Sequence, residues 1–197
     1  MSHVSIVALG GTTRVGSSSE NAARFALAEA AKLGAKVQMF DGALLNMPMY
    51  APESAKRSSE ALELIAALRA ADGVILASPG YHGGISGMLK NALDYTEDMR
   101  EDTRVYLEHR SVGCIVCAAG WQAVGTTLTS LRSIVHALRG WPTPLGVGIN
   151  TVAVRAFDQE GNCIDPNTRA QLHILAEQVV TFARFGKSKP PESTIAA

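Results

Sequence analysis

The chain reads as a doubly wound α/β domain: a five-stranded parallel sheet of order 2-1-3-4-5 with helices on both faces. Two observations predict it. Five short segments are continuously apolar and rich in Val, Ile and Leu, the pattern of strands covered on both faces. Between them run stretches with apolar residues at three- and four-residue spacing, as in helices that bury one stripe.

The first strand is VSIVALG (4–10), whose start lacks the basic leader and long apolar region of a signal peptide. A helix follows over NAARFALAEAAKLG (21–34), with a serine cluster before it and Gly34 at its end. The second strand is AKVQMFD (35–41), and the second helix SSEALELIAALRAAD (58–72) opens on Ser58 and Ser59. GVILASP (73–79) is the third strand, leading into the helix GMLKNALDYTEDM (87–99). VGCIVCAA (112–119) is the fourth, followed by GTTLTSLRSIVHALRG (125–140). PLGVGINTVAV (144–154) is the fifth, and a last helix covers residues 167–184. Residues 1–186 are expected to form one domain, with 187–197, ending SKPPESTIAA, as a disordered tail.

Lys+Arg and Asp+Glu are equal at 18 each, so no bulk field favours nucleic acid or an anionic membrane. No apolar run approaches the ~20 residues that span a bilayer, which makes a cytoplasmic location the default. The charged run EDMREDTRVYLEH (97–109) reads as a solvated helix end and loop. Cys114 and Cys117 fall three apart in a strand, on opposite faces, and are expected to be core thiols.

In a sheet of this order, ligands sit beyond the carboxyl ends of the strands where the strand order reverses. Three loops there are unusual. The first, GGTTRVGSSSEN (10–21), offers Thr12, Thr13, Ser17, Ser18 and Ser19 around Arg14 at a helix start, a donor set suited to phosphate. Plain helix capping beside a solvated arginine is the alternative. The spacing Gly11-x-x-x-x-Gly16 imitates a nucleoside-triphosphate loop, but Ser17 stands where its lysine would be.

The second loop, SPGYHGG (78–84), combines Pro79, Gly80, Tyr81, His82 and Gly83. Glycines expose backbone N–H groups, and a tyrosine adds a flat face, so the loop suits the edge of a planar heterocycle. His82 is either a ligand contact or simply a polar turn residue. The third loop, AAGWQAVGTT (118–127), carries Gly120 and Trp121; the tryptophan either stacks on a ligand or packs against a second subunit.

These residues resemble the NADPH-dependent FMN reductase family of flavodoxin-like proteins. The family's first-loop pattern G-S-x-R-x-x-S stands here as Gly11-Thr12-Thr13-Arg14-Val15-Gly16-Ser17. Its second pattern stands as Pro79-Gly80-Tyr81 followed by Gly87-Met88-Leu89-Lys90-Asn91-Ala92-Leu93-Asp94. Asn46-Met47-Pro48-Met49-Tyr50 is similar to its L-P-x-Y segment. The resemblance runs from the first strand to about Asn150.

It implies an FMN site with NADPH or NADH as reductant. Thr12, Arg14, Ser17 and Ser19 would hold the phosphate; Pro79, Gly80, Tyr81, His82 and Gly83 would lie along the isoalloxazine, with Gly120 and Trp121 nearby. It also implies hydride transfer to flavin N5 and onward to a small-molecule electron acceptor: free flavin, a quinone, an azo or nitro compound, or a metal oxyanion. A flavin-dependent monooxygenase is a candidate partner, and the chain is expected to form a homodimer or homotetramer. The competing readings are a flavodoxin-like electron carrier and a non-enzymatic scaffold. Carriers tend to be strongly acidic, unlike this neutral chain.

Overall fold

The computed structural model describes residues 3–188. Strands β1 (Ser5–Gly10), β2 (Lys36–Phe40), β3 (Gly73–Pro79), β4 (Ser111–Ala118), β5 (Trp141–Pro142) and β6 (Val147–Asn150) form one sheet. Helices α1 (Ser18–Lys32), α2 (Ser59–Ala70), α3 (Gly87–Asp94), α4 (Trp121–Ala137) and α5 (Pro166–Ser188) cover it. All pairings are parallel, in the order β2-β1-β3-β4-β5, with β6 also on β4. The expected doubly wound topology is therefore observed.

Alternate strand residues feed two cores, one on each face. Val7, Leu9, Val74, Leu76, Val112, Cys114 and Val116 join Leu64 and Leu68 of α2, Leu89 of α3, and Leu131 of α4. Ile6, Ala8, Ile75, Ala77, Ile115, Cys117, Val147 and Ile149 join Ala23 and Ala26 of α1, and Leu172 and Val179 of α5. Cys114 and Cys117 thus lie on opposite faces. Every residue of β3 and β4 is buried, which is why these strands read as unbroken apolar runs.

The fifth predicted strand, 144–154, shortens to β6, and the two-residue β5 precedes it outside the predicted range. β5 pairs with the start of β4 and β6 with its end. Pro142 and Pro144 lack the N–H a ladder needs; Thr143 N–H between them still donates to the Val112 carbonyl at 2.9 Å, and side chains add further ties. Arg132 donates to the Thr143 carbonyl at 2.8 Å, and Leu145 N–H donates to Gln178 at 2.9 Å.

Helix starts follow the capping signals. Ser17, Ser58 and Ser86 accept from the N–H groups of Glu20, Ala61 and Leu89 at 3.2–3.3 Å. α4 begins four residues earlier than its periodicity suggests, at Trp121, after Gly120 in an extended positive-φ conformation with no side-chain cap. The third helix stops at Asp94 and tightens into a 3-10 turn, Tyr95–Met99. α5 runs to Ser188; the rest of the expected tail, 189–197, lies outside the described residues. Among the described residues, no helix is long and apolar enough to cross a membrane.

The long connection after β2 is tied down by Asn91 and Asp98. Asn91 accepts from Tyr50 N–H at 2.8 Å and donates to the Pro48 carbonyl at 2.8 Å, where the Tyr95 hydroxyl also donates at 3.1 Å. Arg57 makes a two-pronged pair with Asp98 at 2.7 and 2.8 Å, its guanidinium 4.9 Å from the Tyr50 ring centroid. Asp102 pairs with Arg69, so the 97–109 run is not simply solvated. Arg110 next to it is fully buried and donates only to carbonyls, those of Ala71, Tyr106, Glu108 and Arg69; burial lowers its pKa to about 10.

The two hydrogen bonds from Arg57 hold the Asp98 carboxyl below the usual range. The pair's stabilisation is therefore complete above the unfolded aspartate value of ~4 and is lost as pH falls through the lowered folded value. Arg57→Ala is expected to cost about 2 kcal/mol in urea denaturation at pH 7. The deficit of Asp98→Asn relative to the unaltered protein should shrink progressively below about pH 4.

Candidate functional site

β1 ends at Gly10, and the ladder continues for one more bond as Gly11 N–H donates to the Ala77 carbonyl at 2.9 Å. The loop beyond it is shaped by its own hydroxyls. Arg14 N–H donates to Thr12 Oγ1, which in turn donates to the Arg14 carbonyl, both at 3.1 Å. Ser17 and Ser19 are buried with their hydroxyls 3.4 Å apart, at the start of the 15-residue α1. Arg14 is exposed and forms no ion pair among the described residues.

The second loop leaves β3 at Pro79, with Gly80 N–H donating to the Cys117 carbonyl at 2.9 Å. A Cβ at Gly80 would lie 2.9 Å from both the Ala118 Cβ and the Thr127 hydroxyl, so only glycine lets this backbone approach β4 and α4. Tyr81 and Gly84 then exchange N–H···O bonds at 2.9 and 3.0 Å. The two residues between them, His82 and Gly83, have φ of 50° and 83°, as a tight hairpin turn of mirror-image type requires.

Together these loops enclose a cavity of about 550 Å³ at the carboxyl end of the sheet, within the range of small-molecule sites. Thr12, Thr13, Arg14, Ser17, Ser18 and Ser19 line one part of it, and Pro79, Gly80 and Tyr81 another. Cys117, Ala118, Ala119 and Thr151 complete it from β4 and β6. The lining holds one cation and no carboxylate, next to the N–H groups of a helix start.

Seven of the residues expected at the site therefore share this cavity: Thr12, Arg14, Ser17, Ser19, Pro79, Gly80 and Tyr81. His82, Gly83, Gly120 and Trp121 do not line it. His82 and Gly83 form the hairpin tip, Gly120 caps α4, and Trp121 is the first residue of that helix, 62% exposed. Ala118 and Ala119 belong to the third loop singled out in the sequence, although only Gly120 and Trp121 were named there as contacts. Sequence reasoning missed Cys117, which lies at the end of a strand already identified, and Thr151, which follows β6; the strand-end rule that picked out the other loops would have found both.

The family model for NADPH-dependent FMN reductase matches residues 4–153. An NADPH azoreductase of Bacillus sp. (strain OY1-2) is 33% identical over 97 residues, 49% of this chain and 51% of that protein. An FMN-dependent NADPH-azoreductase of Staphylococcus saprophyticus is 31% identical over 134 residues, 67% of this chain and 66% of that one. The alignments thus span half to two thirds of these relatives. Among solved structures, an apo NADH:FMN oxidoreductase superposes with TM-score 0.67 at 20% identity, covering 95% of this chain and 92% of that one. A flavoenzyme NAD(P)H:(acceptor) oxidoreductase of Paracoccus denitrificans gives 0.68 at 19%, covering 95% and 98%. At these identities the solved structures show a shared fold.

Cys117 lines the cavity yet is 5% exposed, and burial pushes its thiol up to about 12, as it does for Cys114. At pH 8 the thiolate fraction of either is then ~10⁻⁴. Alkylation of the native protein followed by peptide mapping should leave both unlabelled, and denaturant should release both.

Proposed function

Because the chain belongs to the NADPH-dependent FMN reductase family, we propose that it is an NAD(P)H-dependent oxidoreductase holding FMN in this cavity and reducing a small-molecule acceptor. The observation that carries the proposal is the division of the lining: a hydroxyl-rich, singly cationic end and a flat, weakly polar end.

The donor set fits a phosphate monoester. Arg14 supplies the charge, Ser17, Ser18, Ser19 and Thr13 supply hydroxyls, and the first turn of α1 supplies N–H groups with the positive end of its dipole. Thr12 contributes by holding the turn that carries Arg14. At the other end, Pro79-Gly80-Tyr81 and Ala118-Ala119 leave a slot whose walls are backbone and small side chains, suited to a planar ring system.

FMN held there would supply the redox chemistry, as an acceptor of hydride from NAD(P)H at its N5. The protein's own work is to bind and orient. No histidine, carboxylate or lysine lines the cavity, so its residues offer positioning and charge rather than acid–base groups. Tyr81 is 55% exposed and on this reading would meet reductant and acceptor in turn. The azoreductase names of the curated relatives make an azo compound the first acceptor to test; quinones, nitro compounds, metal oxyanions and free flavin for a monooxygenase come next.

The test begins with FMN added to the purified protein, removal of excess, and NADPH under argon. Flavin absorbance near ~450 nm should be retained and then bleached, and steady NADPH oxidation should follow on adding an azo dye. Retained flavin without NADPH oxidation would instead indicate an electron carrier. Arg14→Ala should weaken FMN binding about tenfold or more, with little change for riboflavin, which lacks the phosphate. The same reading has the chain assembled as a homodimer or homotetramer, so light scattering should give a mass of two or four chains.

A further inference from the structure

Glu20 presents a physical problem. It is 4% exposed, in the first turn of α1, and close behind a loop proposed to bind phosphate. A buried carboxylate there repels the ligand unless its charge is offset and its geometry serves a purpose.

Both conditions are met. Arg24 Nε donates to Glu20 Oε1 at 2.8 Å, and Arg24 Nη2 donates to Asp41 Oδ2 at 2.8 Å. Glu20 Oε2 accepts Gly16 N–H at 3.1 Å. In an ordinary capping box, the carboxylate at this helix position takes the N–H of the cap residue itself. Here Ser17 N–H is already given to the Arg14 carbonyl at 3.2 Å, and Glu20 reaches one residue further back. Gly16 adopts φ +69° at that point.

Asp41 continues the chain of contacts. Its Oδ1 accepts from Ala43 and Leu44 N–H at 3.1 and 3.4 Å, which folds a tight turn after β2. That turn lays Gly42 directly against the backbone of Thr12, where an added Cβ would overlap the Thr12 carbonyl oxygen. One continuous series of contacts therefore grips the exposed segment that carries Arg14 at both ends, Thr12 and Gly16.

We propose that Glu20, Arg24 and Asp41, with Gly42 as the point of contact, form a brace that presets the shape of the phosphate loop. These are positioning residues, and the inference rests on the FMN reading above. The brace turns Gly16 N–H away from the cavity and leaves the N–H groups of Ser18 and Ser19, which helix geometry frees, as the donors for the anion. Affinity then comes from a loop ordered before the ligand arrives.

The experiment compares FMN and riboflavin dissociation constants, by flavin fluorescence, for the full-length protein and three variants. Glu20→Ala is expected to weaken FMN about tenfold, the worth of one charge-assisted hydrogen bond, and to leave riboflavin within about twofold. Glu20→Gln keeps an acceptor for Gly16 N–H and should restore FMN affinity to within about threefold of the unaltered protein. Asp41→Ala, at the partly exposed end of the brace, decides the matter if Glu20→Ala does not fold: a carboxylate is lost, yet FMN should weaken severalfold and riboflavin should not.

FMN bound equally or more tightly by Glu20→Ala, or by Asp41→Ala in its place, would overturn the brace and leave these carboxylates as repelling charges only. Equal losses for FMN and riboflavin would overturn it in favour of general stability. Failure of the unaltered protein to bind FMN would overturn the cofactor reading itself, and the brace with it.

Discussion

The parallel ladder joining β1, β3 and β4 is the constraint from which the site follows. Its register pairs Gly10 with Ala77 and Pro79 with Cys117, so the three strands end within a residue or two of one another. The bonds from Gly11 to Ala77 and from Gly80 to Cys117 carry the ladder just past the strand ends. Each loop therefore starts from a fixed point and direction. Both faces of these strands are buried, and a one-residue slip would send each core side chain to the wrong layer. The depth of the core thus fixes where Arg14 and Tyr81 can stand.

The helix after the second loop serves this arrangement without touching the cavity. Asn91, 4% exposed, spends its amide on the backbone of Pro48 and Tyr50. Tyr95 and the Arg57–Asp98 pair close the same connection from the other side. Two segments distant in sequence, Asn46–Tyr50 and Lys90–Asp94, are thus joined: one is the strap and the other its fastening. Lys90 itself makes only an exposed pair with Asp94, of small worth.

Much of this was legible in the sequence, for identifiable reasons. Strands buried on both faces leave unbroken apolar runs, and Ser17, Ser58 and Ser86 mark helix starts by a local chemistry that needs no tertiary context. The hydroxyl-rich first loop and Pro79-Gly80-Tyr81 were legible because their residue types are costly to explain otherwise. What escaped depended on distant partners. Thr151 reaches the cavity only because Ala118 pairs with Asn150, and Arg57 meets Asp98 across 41 positions. The start of α4 was hidden by Gly125, Thr126 and Thr127, poor helix formers held in place by burial of Val124 and Thr127. His82-Gly83 has a local account as well, since a mirror-image turn is enough to call for positive φ at both positions.

The electrostatics explain how a chain with no net charge could favour an anion at the proposed site. Arg24, Arg57 and Arg69 are each committed to carboxylates, and Arg110 to four carbonyls. Arg14 has no such commitment among the described residues, and its cavity contains no competing carboxylate. At physiological ionic strength a field fades over roughly 8 Å, so one free guanidinium cannot steer a ligand from afar. In the proposed site it would act only on a group already delivered to the start of α1, where the helix dipole and N–H groups would act on the same atoms. Selectivity for a phosphate-bearing ligand, on the proposed reading, would be a matter of where the loop holds one side chain, and the geometry behind that loop would matter as much as the charge upon it.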